Sequence, residues 1–231
     1  MRPLWRQYGG ELWPRRARPV RASGRRARQT SAGSHPGHHG GYTTISIWWV
    51  LQRRSTDPAT PKDLTEKEKS AIAAMQHYND WDSGYSKQQS TRPQTLGYGF
   101  SDSPVGQMAW ILEKFWSWTD CEGHPENVLT RDKLTDNVML YWLPGTAASS
   151  ARLYWESFRS FPTDPDMVPT GCSIFPKEIS RPSRRWAEKR YAKLVYFNEL
   201  EKGGHSAAFE QPETFVREVR AYFRQIRQGT R

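Results

Sequence analysis

From Met167 to its end the chain alternates strand and helix signals, and this alternation restricts the fold more than any other feature. Residues 168–175 (VPTGCSIF) read as a buried strand despite Pro169, residues 182–191 as a helix, and residues 193–200 (KLVYFNEL) as a second strand. Gly203, Gly204 and His205 form a turn, and residues 212–226 a helix with Phe215, Val219, Tyr222 and Ile226 on one face. Strand and helix repeated in this order give a parallel sheet covered by helices. The stretch before it is helical. Thr65 and Glu68 form a capping box opening a helix that runs towards Trp81. Ser103 and Pro104 are an N-cap and N1 pair, after which Val105, Met108, Leu112 and Phe115 make one apolar stripe. Thr130 opens a helix to about Trp142, and Thr146 caps another that carries Arg152, Tyr154 and Trp155. The class is therefore α/β: a helical block over residues 57–166, then the last strand–helix units of a parallel sheet over 167–231.

The net charge of +10 points towards nucleic acid or an anionic surface until it is located. Residues 1–56 hold eleven Arg and a single acid, Glu11, so the whole excess lies there; the remainder balances. That segment keeps no periodicity and has few aliphatics, so it is expected to be disordered. Three readings of it stand: an Arg-rich targeting peptide, a nucleic-acid-binding arm, or an out-of-frame or misassigned stretch. The last is favoured, because Arg occurs without Lys and four Trp lack any folded context. His35, His38 and His39 read as by-products of that composition, and nucleic acid is not the expected partner. Cys121 and Cys172 are too few and too far apart for a disulfide framework or a metal site, and no cofactor is called for. No apolar run approaches the ~20 residues that span a bilayer. A cytoplasmic protein is the expectation.

Chemistry concentrates at the strand ends. His205 follows two glycines just beyond the second strand, where open α/β sheets collect reactive groups. Glu178 lies just after the first strand, in residues 175–178 (FPKE). Taken singly, one reads equally as a loop histidine and the other as a surface carboxylate. Strand–acid followed by strand–histidine, however, is the order in which α/β-hydrolases deliver their last two triad members. A carboxylate on one ring nitrogen fixes the tautomer and leaves the other nitrogen to take a proton.

Many short motifs then agree. Residues 84–89 (GYSKQQ), 94–99 (QTLGYG), 102–106 (DSPVG), 111–115 (ILEKF), 134–142 (LTDNVMLYW), 145–150 (GTAASS), 152–154 (RLY), 168–171 (VPTG), 175–178 (FPKE) and 203–210 (GGHSAAFE) resemble the microsomal-type epoxide hydrolases. The resemblance covers about residues 57–226 and implies a partial α/β-hydrolase fold in which the helical block is a lid. It implies hydrolysis of a small-molecule epoxide to a vicinal diol through an alkyl-enzyme ester. By motif position Tyr85 and Tyr154 match the two lid tyrosines that donate to the oxirane oxygen, Glu178 the charge-relay acid and His205 the general base. Trp110, Phe115, Trp116, Trp118 and Trp142 read as lid core or pocket wall.

One part of the pattern is missing. The nucleophile belongs upstream of the lid in a motif of the type Gly-Gly-Asp-Trp-Gly, yet residues 1–56 contain no Asp. Gly9-Gly10-Glu11-Leu12-Trp13 is an echo only, one methylene too long and not followed by a helix. The expectation is a C-terminal portion, inactive by itself or complementing a separate N-terminal polypeptide. An exposed sheet edge then favours self-association.

Overall fold

The computed structural model describes residues 63–157 and 165–229. The readings of residues 1–56, including Glu11 and the three histidines, lie outside the described residues. Among the described residues six α-helices come first: α1 Glu66–His77, α2 Gly84–Thr91, α3 Pro93–Asp102, α4 Pro104–Trp118, α5 Arg131–Trp142 and α6 Ala147–Ser157. Then follow β1 Thr170–Ile174, α7 Arg184–Arg190, β2 Leu194–Glu199, α8 Ala207–Glu210 and α9 Pro212–Gly229. A helical stretch followed by strand, helix, strand and helix is the order read from the sequence, to which the structure adds α2, α3 and the short α8. Strand β1 starts after Pro169, whose nitrogen has no proton to give a ladder.

Local chemistry explains most boundaries. Thr65 accepts from the Glu68 amide at 3.3 Å while the Glu68 carboxylate takes the Thr65 amide at 3.0 Å, a reciprocal cap that starts α1. The helix continues past His77 as a π-helical turn, Tyr78–Asp82. Ser103 caps α4 through Gly106 and Thr130 caps α5 through Lys133. Thr146 departs from expectation. Its carbonyl takes the Ser150 amide, but its hydroxyl donates backwards to the Tyr141 carbonyl at 3.2 Å. The α4 stripe is also corrected. Val105 is 67% exposed, whereas Gln107, Phe115 and Trp118 are buried. Helix α4 is apolar around most of its circumference, so spacing alone does not choose the inward face.

β1 and β2 pair in parallel from Thr170 against Leu194, with a register irregularity between Thr170 and Gly171. Among the described residues β1 pairs with no other strand. Helix α9 lies directly on β1: a Cβ at Gly171 would come within 2.4 Å of the Tyr222 ring, and the Tyr222 hydroxyl donates to the Pro169 carbonyl at 2.7 Å. Glu218, also on α9, accepts from Ser173, Tyr196 and Asn198 and so ties both strands to the helix. Helices α3 and α6 cross closely, since a Cβ at Gly97 would meet that of Ala148 at 2.5 Å.

The core that matters for the site spans both parts. Ala71, Met75 and Tyr78 from the α1 region, Trp118 at the end of α4, Ile179 beyond β1 and Trp186 on α7 form one buried cluster, with Tyr85 packed against it. Burying the larger aliphatic side chains here, Met75 and Ile179, contributes roughly 1.5–3 kcal/mol each. A salt-bridged polar tie runs alongside, where Glu68 meets Ser183 and Arg185. Among the described residues no helix is long and apolar enough to cross a membrane. Cys121 and Cys172 are buried free thiols.

Candidate active site

Both parallel strands deliver a side chain beyond their carboxyl ends. The Lys177 amide donates to the Gly203 carbonyl at 3.0 Å and ties the two post-strand loops together, with Glu178 on one and His205 on the other. His205 Nδ1 lies 2.7 Å from Glu178 Oε1. The same oxygen accepts from the Ile179 amide at 2.8 Å, which fixes the carboxylate against its own backbone. With Nδ1 donating to this acceptor, the neutral ring carries its lone pair on Nε2. Burial of the ring disfavours its charged form, but the Glu178 hydrogen bond and charge, helped by the charge of Glu210, outweigh it. The His205 pKa therefore lies above its ordinary value.

The loop holding His205 has little freedom. Gly203 has φ +114°, a region that favours glycine, and a Cβ there would meet the Phe175 ring at 2.6 Å. At Gly204 a Cβ would fall 2.3 Å from the Trp118 carbonyl oxygen. That same carbonyl accepts the His205 amide at 2.8 Å, so the imidazole is hung from the C-terminus of α4. Gly204→Ala is therefore expected to cost about 3 kcal/mol, at the upper end for overpacking because backbone must move. A urea midpoint equal to that of the parent protein would reject this account of the loop.

Two phenols complete the arrangement. Tyr85 on α2 and Tyr154 on α6 stand edge to face with ring centroids 5.7 Å apart. Tyr78 donates to the Tyr85 hydroxyl at 3.3 Å. Burial is the first cause that pushes the Tyr85 and Tyr154 phenols upward, reinforced by the phenols' mutual proximity; Tyr78 is pushed up to about 12. All three are neutral hydrogen-bond donors across the physiological range. Trp118 connects the halves, 5.3 Å from the Tyr85 ring and 5.4 Å from the His205 ring between centroids. Lys114 lies over both Tyr85 and Trp118, its ammonium 4.8 and 5.1 Å from the ring centroids.

Tyr85, Tyr154 and His205 line one cavity of about 260 Å³, walled by Phe100, Trp110, Ile111 and Phe115. Glu178 faces an adjoining cavity that His205 also lines. The four residues singled out in the sequence are thus brought together around His205. Of the aromatics read as core or wall, Trp110, Phe115 and Trp118 do line the cavity, while Trp116 is largely exposed and packs edge-on against His124. Sequence reasoning gave no role to Lys114 or Asp120 and passed over Glu210 as part of a motif. Their placement depends on contacts up to ninety residues away in the chain, which no local signal carries.

Such a scaffold, with an acid and a histidine following successive parallel strands beneath helices, is that of an α/β-hydrolase fold. No family model matches the chain. It is 53% identical over 166 residues to a Stigmatella aurantiaca protein named provisionally as an epoxide hydrolase, an alignment covering 71% of this chain and 38% of that protein. It is also 39% identical over 153 residues to epoxide hydrolase 1 of Sus scrofa, covering 61% of this chain and 34% of that protein. The crystal structure of juvenile hormone epoxide hydrolase from Bombyx mori superposes with a TM-score of 0.67 at 30% identity, over 81% of this chain and 47% of that one. The chain belongs to the epoxide hydrolase family. It spans less than half the length of each of these relatives, a coverage that fits the C-terminal portion of the fold.

Proposed function

We propose that this chain supplies the proton-handling half of an epoxide-hydrolysing site, with residues 57–166 as its lid and residues 167–231 as its part of the hydrolase core. The observation that carries the reading is the convergence of two neutral phenols and a carboxylate-held imidazole on one cavity. Tyr85 and Tyr154 donate to the oxirane oxygen, where negative charge grows as the carbon–oxygen bond breaks. A carboxylate attacks the oxirane carbon and forms an ester, and the alkoxide takes a proton from a phenol. His205 then removes a proton from water through Nε2, and the resulting hydroxide attacks the ester carbonyl. The tetrahedral intermediate expels the diol alkoxide, which takes the proton of the released carboxylic acid, while the proton held on His205 returns to the phenolate. The products are the vicinal diol and the freed carboxylate, with the phenol and imidazole restored. Glu178 holds the tautomer and stabilises the imidazolium.

No carboxylate lines this cavity among the described residues. The nucleophile in this reading comes from a polypeptide segment other than the described ones, joining at β1, whose second edge meets no strand among the described residues. The first test is binding without turnover. Saturation-transfer NMR with a styrene-oxide-type epoxide should detect contact with the full chain, and the contact should vanish in Tyr85→Phe/Tyr154→Phe. Binding that is unchanged in the double variant sinks the role of the phenols. Diol formation by the purified chain alone would place the nucleophile within it and overturn that half of the proposal.

A further inference from the structure

Glu210 has no part in the steps above, yet it lies at the base of the histidine loop. Its carboxylate is buried, with 7% of the residue exposed. Its oxygens accept from three backbone amides: Gly204 at 3.1 Å, Ser206 at 3.1 Å and Asp120 at 2.8 Å. Two of these amides flank His205 directly, and the third belongs to the segment after α4 whose Trp118 carbonyl holds the His205 amide. Asp120 adds a fourth tie by accepting the Gly203 amide at 3.0 Å. Among the described residues Glu210 forms no ion pair. A buried anion is costly unless hydrogen bonds or a cation compensate it, and here amides alone do so. Its charge is therefore left to act on its surroundings through a medium of low polarity.

We infer that Glu210 is a positioning residue for His205: it gathers the amides on either side of the imidazole into one conformation and sets a second anion beside the ring. The inference rests on the reading of His205 as the base only for its catalytic consequence. The charged groups that meet here are Glu178 and Glu210 acting on the imidazole, and Asp120 acting on Glu210. Burial pushes the Glu210 carboxyl up while the three amide bonds hold it down, and the net direction is upward. Acidification thus removes this anion earlier than an ordinary glutamate would lose its charge. His205 loses part of its support at the same time.

The test is NMR titration of the full-length chain, with the His205 ring assigned from His205→Gln. In Glu210→Gln the imidazole should titrate lower than in the parent protein, the sign set by removal of a nearby anion. Glu210→Asp should restore part of the shift. An unmoved His205 titration in a folded Glu210→Gln protein overturns the inference. If that variant does not fold, the parent protein decides. The Gly204 and Ser206 amide signals should then move together, at a pH above the ordinary glutamate value of 4.5, as their acceptor protonates, and the His205 ring should show a second inflection there. Flat amide signals would overturn it equally. Should the His205 shift appear while ester hydrolysis proves independent of His205, this inference stands and the general-base reading falls.

Discussion

Replacing Glu68 by Ala is expected to lower stability by about 2–3 kcal/mol, the range for losing a helix cap and leaving buried hydrogen-bond partners unmade, since the Arg185 side chain is itself 37% exposed. Glu68 is 1% exposed and serves three structures at once. It closes the cap of α1 through the Thr65 amide and hydroxyl. It accepts from the Ser183 hydroxyl at 2.6 Å, at the turn that begins α7, and it forms a two-pronged pair with Arg185 through Nε at 2.6 Å and Nη2. Alanine leaves the Thr65 amide and Ser183 hydroxyl short of an acceptor where water has little access. Arg185 keeps Asp63 at 2.8 Å, so its charge is not wholly stranded. Glu68→Gln separates shape from charge and should recover the cap but not the ion pair.

The same carboxylate gives a pH signature. The Arg185 hydrogen bond is the main cause holding Glu68 down at about 2, against an ordinary value of 4.5. A depressed acid stabilises the folded state fully above its unfolded value, and that contribution is lost as pH falls through the folded one. Stability should therefore fall between about pH 4.5 and 2, and less so in Glu68→Gln. Matching acid-unfolding curves for the two proteins would refute the assignment.

How much of this was readable beforehand follows the range of the interactions. The Thr65–Glu68 cap was legible because it lies within one helical turn. The tie from Glu68 to Ser183 and Arg185 was not, because it joins residues more than a hundred positions apart. The strand–helix tail was legible because period-two and period-3.6 patterns differ sharply there. On α4, Trp110, Ile111, Leu112, Phe115, Trp116 and Trp118 surround the axis, so periodicity pointed to Val105 and the cavity selected Gln107 and Lys114 instead. Glu178 and His205 could be found from their order after strands. Tyr85 and Tyr154 carried no local sign of function, since a buried tyrosine usually only packs; a family resemblance was needed to single them out. Trp118 and Glu210 act through backbone contacts to the histidine loop, and loop contacts leave no pattern in composition.

A Glu178→Gln substitution should reduce ester hydrolysis by roughly 10³–10⁴-fold, the scale on which loss of the orienting acid disables a histidine base. Glutamine presents either a carbonyl or an amino group to Nδ1. Its carbonyl can keep the ring in place but no longer stabilises the positive charge that forms when Nε2 takes a proton from water. Its amino group would instead favour the wrong tautomer, with the proton on Nε2. The measurement needs a nucleophile, supplied by fusing to this chain the upstream segment of the Stigmatella aurantiaca relative. In the fused enzyme the first step should persist, because Tyr85 and Tyr154 are untouched, so the alkyl ester should accumulate on the nucleophile and appear as a mass increment equal to the epoxide. Loss of both steps together would instead mean that Glu178 merely holds the fold. The titration of His205 gives an independent check with a definite sign. Its pKa is raised in the folded chain above the ordinary 6.5, so the pair stabilises the fold fully below that value, and the contribution disappears as pH rises through the folded value. In Glu178→Gln the imidazole should titrate lower than in the parent, since burial, which opposes the charged form, is then offset by Glu210 alone. If the imidazole titrates at the same pH in both proteins, the carboxylate 2.7 Å away is not the group that sets the basicity of His205.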